Sequence, residues 1–511
     1  MYDFIVVGAG SAGCVLASRL SEHPATKVLL IEAGSATIPR ASRIPAAFAT
    51  LFKTSSDWNF ETAPDPGVNG RSLYWPRGRL IGGSSAINAM IWTPPARADL
   101  AEWTALGNRG WSWDDLAQAR GRAECSATGR RKEGEVGISA SQLRTVNPVT
   151  AALVGAARGL GIEPNEGFHD GAMDGAGTFR VTQAQGARVS SAAGYLEPIG
   201  RRPNLTIAPN AVAHRIRFAG RRAIGVDFIE AGQARQANGR VILAAGAIGS
   251  PHLLQLSGVG PANDLREHRI PVVEDLPGVG QHLQDHVVCG VMHHCLEPVT
   301  LASAKGIGSV LRYLLRRTGP LSSNVAEAGA FVRLRSGLDR PDLELLFAPT
   351  FFVDHGFSNP PGHGFTIASI VLHPESRGSV SLATADPNVA PRIVANYYSA
   401  GRDLDLMVEG IELAQRVAAR PELDRYRGSE LFPGRETDLR QFVRSRSETL
   451  YHPVGTCRMG PGPEAVVSDR LAVHGMEDLW VADASVMPSL TSGHTHAPTV
   501  WIAERAAEFL S

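Results

Sequence analysis

The chain has 511 residues, 43% of them hydrophobic, and its 50 basic side chains balance 50 acidic ones. That is enough apolar content for two compact units, and the charge balance leaves no global field to draw nucleic acid or an anionic membrane. Five cysteines, Cys14, Cys125, Cys289, Cys295 and Cys457, are odd in number and lack paired spacing, which argues against a disulfide or zinc framework and for a reducing compartment.

Met1 leads directly into an apolar strand pattern without a leader-like segment, and no apolar run is long enough to span a bilayer. The expectation is a cytoplasmic protein with no membrane span. Phe4–Val7 reads as a buried strand, Val15, Leu16 and Leu20 follow at helical spacing, and Val28–Ile31 is a second strand. This is the opening of a doubly wound parallel sheet. Between strand and helix lies Gly8-Ala-Gly10-Ser11-Ala12-Gly13, and Glu32 with Ala33 ends the next strand at the spacing where a carboxylate meets ribose hydroxyls. Gly8 permits the turn, Gly10 admits a pyrophosphate to the backbone, and Gly13 lets helix pack on strand, with the helix N-terminus facing the phosphates.

Residues 75–95 form a second glycine-rich region, and 241–246 form another buried strand ending in a tight turn at Ala245 and Gly246. Between Cys289 and about Arg446 the pattern changes to mixed strands, such as 378–382, with an amphipathic helix over about 403–417 carrying Leu406, Ile411, Leu413 and Val417. This stretch is assigned to a second domain. The glycine- and proline-rich loop 357–364 is either a cover over a pocket or a surface turn, and Gly278-Val-Gly280 is a loop.

Gly78-Arg-Leu-Ile-Gly82-Gly83-Ser84-Ser85-Ala-Ile87-Asn88-Ala89-Met90 resembles the first signature of the glucose-methanol-choline (GMC) oxidoreductases, a family of FAD enzymes. Three further segments resemble the same family in order. The stretch from Gly246 to Gly260 is similar to the second signature, with Gln255 where an apolar residue is usual. Tyr451-His452-Pro-Val-Gly-Thr-Cys457-Arg-Met-Gly460 resembles the segment of the catalytic histidine, and Asp483 to Pro498 completes the flavin site. The resemblance spans essentially the whole chain.

It implies an α/β fold: a discontinuous FAD-binding domain of Rossmann type from residues 1–150, 205–288 and 447–511, with an α+β substrate domain on a mostly antiparallel sheet from 151–204 and 289–446. It implies cofactor contacts at Gly8, Gly10, Ser11, Ala12, Gly13, Glu32, Ala33, Gly82, Gly83, Ser84, Asn88, Ala89, Met90, Val212, Ala245, Gly246, Asp483, Ala484 and Thr495. His496, where Asn is common, either contacts the flavin ring or packs. Some members tether FAD to a His at the position of Ile87, which cannot form that bond, so the FAD is expected to be dissociable. A helix starting near Pro498 would aim its positive end at the flavin.

The activity implied is oxidation of a primary alcohol by hydride transfer to flavin N5, with His452 as general base and His494 donating to the substrate oxygen. Oxygen or another acceptor would reoxidise the flavin. The stretch from Gly319 to Phe331 is similar to that of choline dehydrogenase relatives. A hydroxynitrile lyase and a silent flavoprotein are the alternatives. Cys289 and Cys295 beside His293 and His294 lack metal-ligand spacing, and Cys457 suits packing. Glu327, Phe351, Phe352 and His355 are either pocket or core residues.

Overall fold

A computed structural model describes residues 1–126, 134–358, 360–434 and 438–510. The chain opens with β1 (Phe4–Val7), α1 (Ser11–Leu20) and β2 (Val28–Ile31), then runs through α2 (Pro148–Gly159), β3 (Gly175–Thr178), β4 (Leu205–Ala208), β5 (Arg240–Leu243), α3 (Gly246–Leu256) and β6 (Val287–Cys295). It continues with α4 (Ile307–Arg316), β7 (Ala328–Val332), β8 (Leu343–Ala348), β9 (Gly364–Val371), α5 (Gly401–Ala418), β10 (Arg427–Phe432), β11 (Glu448–Thr449), β12 (Leu479–Val481) and α6 (His496–Leu510).

Five of the strands form a parallel sheet in the order β4-β2-β1-β5-β12. β1 and β2 are apolar at every position and buried throughout, as strands covered on both faces must be. α1 packs on β1 and β2 and against α6. The second sheet is antiparallel, in the order β10-β6-β9-β8-β7-β3, with β11 also paired to β6. α5 and α2 cover one face of it, and α5 buries Leu406, Ile411, Leu413 and Val417 there. Because side chains alternate along a strand, Val288, Gly290 and Met292 of β6, Leu346 and Ala348 of β8, and Thr366 and Ala368 of β9 point the other way, into a cavity.

Several boundaries differ from the sequence reading. The helix read at 403–417 runs over Gly401–Ala418, and the terminal helix begins at His496 rather than near Pro498, because Pro498 is accommodated within its first turn. Residues 378–382 contribute Ser379–Ser381, paired with Arg392–Val394. Ala192, Tyr195 and Leu196, read with the second domain, pack in the core around the parallel sheet, while Val68, Leu73 and Trp75 pack in the core of the antiparallel one. The two cores therefore interleave along the chain. Within 357–364, Asn359 lies outside the described residues; Ser358 lines the cavity and Phe357 packs near Tyr74.

α6 is fastened to α1 by Glu504, a fully buried carboxylate that accepts from Arg19 Nη2 at 2.8 Å and Nε at 2.9 Å and from the Tyr195 hydroxyl at 2.8 Å. Arg122 Nε adds a contact at 3.2 Å. Removing one partner of such a cluster leaves the other charge buried and uncompensated. Glu504→Ala should lower stability by about 3–5 kcal/mol and Glu504→Gln by less, as measured by urea unfolding.

Candidate active site

The C-terminal ends of β1, β2, β5 and β12 meet at one edge of the parallel sheet, where folds of this kind bind ligands. Gly8 follows β1, Glu32 follows β2, Ala245 and Gly246 lie beyond β5, and Asp483 lies two residues past β12. They open on a cavity of about 940 Å³ that reaches the inner face of the second sheet. Of the residues assigned to the cofactor, Gly8, Gly10, Ser11, Ala12, Glu32, Ala33, Gly83, Ser84, Asn88, Ala89, Met90, Val212, Ala245, Gly246, Asp483, Ala484, Thr495 and His496 all line it. His452 and His494 line it as well.

Gly13 and Gly82 stand behind the wall. A Cβ on Gly13 would lie 1.7 Å from the Gly8 carbonyl oxygen, so this position governs how closely α1 sits on β1. Gly83 has φ +51°, and a Cβ there would come within 2.6 Å of the Gly10 Cα. The two glycine loops thus touch backbone to backbone and form one continuous floor.

The polar groups around this floor suit a dinucleotide. α1 begins at Gly10 without a side-chain cap, so its first N–H groups face the cavity. Glu32 accepts from the amides of Ala9 and Gly34, each at 2.8 Å, and burial raises its carboxyl to about 7 against those two hydrogen bonds and Arg79. Arg79 Nε, His252 Nε2 and His496 Nδ1 belong to lining residues and are buried without a protein partner. Asp483 differs: it accepts from Gly246 N at 2.8 Å, Ser250 Oγ at 2.6 Å and Ser485 N at 2.8 Å. Its carboxylate shapes the site by joining β12 to the start of α3.

Two imidazoles from distant parts of the chain face each other across the other end of the cavity. The rings of His452 and His494 are 4.9 Å apart between centroids and nearly perpendicular. The His452 amide donates to Asp285 Oδ1 at 2.7 Å, and Asp285 Oδ2 accepts from Thr449 Oγ1 and the Tyr397 hydroxyl. Burial raises the Asp285 carboxyl to about 6, with these hydrogen bonds opposing. His452 Nδ1 lies 2.8 Å from Nδ1 of His286, whose Nε2 lies 3.0 Å from the Leu372 carbonyl oxygen.

A carbonyl can only accept, so His286 carries its proton on Nε2. Burial presses His286 down to about 3, so it is neutral and its Nδ1 is an acceptor. His452 Nδ1 must therefore be the donor. Burial, followed by the charge of His494, also holds His452 well below the ordinary histidine range, which leaves its Nε2 as a free lone pair. His494 is bound differently: its amide donates to Thr93 Oγ1 at 3.0 Å, and its Nε2 lies 3.2 Å from Glu344 Oε1 on β8.

His286, Glu344 and Arg188 were not singled out from the sequence. Arg188 is buried, donates to Ser42 O at 2.7 Å and Asn88 Oδ1 at 2.6 Å, and has no partner for Nη2; burial lowers it to about 9. Asp285 and His286, two ionisable residues directly before the apolar Val287 and Val288 that open β6, were a local signal for the histidine relay. Among the other candidates, His496 packs edge-on to Trp92 at 5.3 Å and sits 3.4 Å from Ser191 Oγ, and burial lowers it to about 3. Phe352 and His355 line the cavity, whereas Glu327 is occupied by Asn147 N, Thr150 Oγ1 and Ser323 Oγ at the start of α2. Phe351 packs on His294, His293 stacks on Phe365, and Cys457 is buried in the first core with burial raising its thiol.

Family models described as GMC oxidoreductase match residues 2–288 and 374–503. The chain is 39% identical to an alcohol dehydrogenase [acceptor] of Pseudomonas putida, over 100% of this chain and 96% of that one. It is also 39% identical to a mitochondrial choline dehydrogenase of Mus musculus, over 100% and 89%. Among solved structures, pyridoxine 4-oxidase of Mesorbium loti superposes with a TM-score of 0.90 at 31% identity, covering 99% of each chain. The chain belongs to the GMC oxidoreductase family, with FAD as its cofactor.

Proposed function

We propose that this protein oxidises a primary alcohol to the aldehyde, with His452 as general base and His494 as its partner. FAD, when bound, would supply the hydride acceptor for this oxidation. The uncapped start of α1 would hold the pyrophosphate, Glu32 the ribose hydroxyls, and the segments around Gly83 to Met90 and Thr495 to Thr499 the ring. Ile87 offers no nucleophile, so the cofactor is held without a covalent bond.

The observation that carries this reading is the hydrogen-bond relay from Leu372 through His286, which leaves His452 Nε2 unprotonated at the cavity. An alcohol placed between the two rings loses its hydroxyl proton to that nitrogen. His494 directs its Nε2–H at Glu344 Oε1, 3.2 Å away, which fixes the ring beside the place where the alkoxide would develop. The electrostatic influence of His494 is one of those that hold His452 below the ordinary histidine range, and the Glu344 carboxylate beside His494 would balance positive charge there. The opposing wall, with Val288, Met292, Leu346, Ala348 and Phe352, suits an uncharged alcohol. Relatives named as acceptor-linked and as oxygen-dependent leave oxygen or another carrier as the oxidant.

The test is to mix the yellow protein with a panel of primary alcohols without oxygen and follow the flavin spectrum. Bleaching supports the proposal, and a flavin that stays oxidised with every alcohol supports a lyase or a silent flavoprotein instead. His452→Ala should slow bleaching roughly 10²–10⁴-fold. Protonation of His452 removes the base, and its acid form is reached only well below the ordinary value, so kcat/KM should stay level through pH 6.5 and fall only in more acid solution.

Glu344 yields a separate expectation. Glu344→Gln keeps an acceptor but removes the balancing charge, and Glu344→Leu removes both. kcat should fall in that order, by roughly 10²-fold for the leucine variant, with stopped-flow bleaching as the readout.

Glu32 links cofactor binding to pH. Its folded-state carboxyl is raised to about 7 from an ordinary 4.5, so the contribution of protonated Glu32 to the stability of FAD-free protein is fully present below pH 4.5 and is lost as pH rises through 7. Glu32→Gln lacks this titration. In urea unfolding of FAD-free protein, the variant should gain about 3 kcal/mol on wild type between pH 4.5 and pH 8. Its affinity for FAD should fall roughly tenfold or more, because the charge-assisted bond to ribose is lost.

A further inference from the structure

α4 turns its apolar side away from the protein. Ile307 is 80% exposed, Val310 39%, Leu311 52%, Leu314 61% and Leu315 80%. Their spacing places them along one stripe of the helix. On the inner side Tyr313 is buried, and its hydroxyl donates to the Arg43 carbonyl at 3.3 Å, so the helix is attached while its apolar stripe is not used for folding.

The charge around it is one-sided. Residues 298–326 contain Lys305, Arg312, Arg316 and Arg317 and no Asp or Glu, in a chain whose total charge is zero. Arg144 adds to this by reaching the end of the helix, 3.2 Å from the Arg316 carbonyl. Ten residues rise only about 15 Å, too short to cross a bilayer, and no helix among the described residues is long and apolar enough to do so. Exposed leucines beside arginines, without acidic residues, suit a helix lying in the plane of a bilayer surface.

We propose that α4 docks the enzyme on a membrane surface carrying anionic lipids, laying Ile307, Leu311, Leu314 and Leu315 among the upper acyl chains while Arg312 and Arg316 meet headgroup phosphates. A second copy of the chain is the poorer occupant, because a two-fold contact along this stripe would set these arginines against their own copies. The anchor sits close to the cavity. α4 packs on the turn Pro320–Ser322, which packs on Pro45–Leu51, and Phe48 of that segment lines the cavity wall. The enzyme would thus hold its cavity within two layers of side chains from lipid.

The experiment is flotation of the purified holoenzyme with phosphatidylcholine vesicles, with or without roughly one third phosphatidylglycerol. Wild type should rise with the anionic vesicles, and at least about tenfold less with neutral vesicles or at roughly 0.5 M salt. Leu314→Glu with Leu315→Glu changes two exposed side chains; this variant should stay at the bottom of the gradient and keep its alcohol turnover in solution. Wild type that does not float, or a double variant that floats equally well, overturns the proposal. A wild-type dimer seen by light scattering, dissociated by the same pair of substitutions and absent from the vesicle fraction, would assign the face to a second copy instead.

Discussion

A buried imidazole can serve as a base only if it is neutral and its lone pair faces the substrate; for His452 burial favours the first condition, and the 3.0 Å contact from His286 to the Leu372 carbonyl favours the second. The carbonyl fixes the His286 proton, His286 fixes the His452 proton, and burial keeps both rings uncharged. The surrounding backbone is arranged to hold this relay still. β11 pairs with the start of β6, and Asp285 receives Thr449 and the His452 amide. Tyr451 takes φ +69°, unfavourable for its side chain, and is held there by Arg77 Nη2 on its carbonyl at 2.7 Å and by His355 Nδ1 at its hydroxyl, also 2.7 Å away.

The second imidazole is placed in the opposite electrostatic setting only one ring's width away. Glu344 reaches His494 from the start of β8, so a carboxylate of the second sheet stands beside a histidine that follows the last strand of the first. Two chemically identical side chains thus acquire different roles through their neighbours, one through a carbonyl relay and the other through a carboxylate. Neither neighbour works unless the two sheets keep their separation, and that makes the packing between them part of the chemistry.

How much of this is legible in the sequence depends on whether the signal is local. The turn from Gly8 to Gly13, Glu32 at the end of β2, and the stretches holding His452 and His494 are written in contiguous residues, so they can be read in order along the chain. His286 and Glu344 are not. Glu344 is one polar residue in an apolar strand, and its partner lies 150 positions away. Tyr195 packs with the first sheet for a related reason: its hydroxyl meets Glu504, at a separation of 309 residues that no periodicity reveals. The start of α6 at His496 was missed because a proline normally marks a first helical turn, and here that turn opens two residues earlier.

Interleaving of the two cores follows from the same demand. The proposed chemistry needs groups from both sheets beside one cavity, and the chain supplies them by crossing between the sheets several times. His286 immediately precedes β6 and Glu344 lies on β8, both strands of the second sheet, while His494 and His496 come from the segment that closes the first. Each crossing takes ionisable groups out of water, and Asp285, His286 and His452 all show it in their displaced titration. Such a site is a net cost to folding, so it must be offset by packing elsewhere; the clamp of Glu504 on Arg19 and Tyr195 secures α6 beyond its first turn, which lines the cavity.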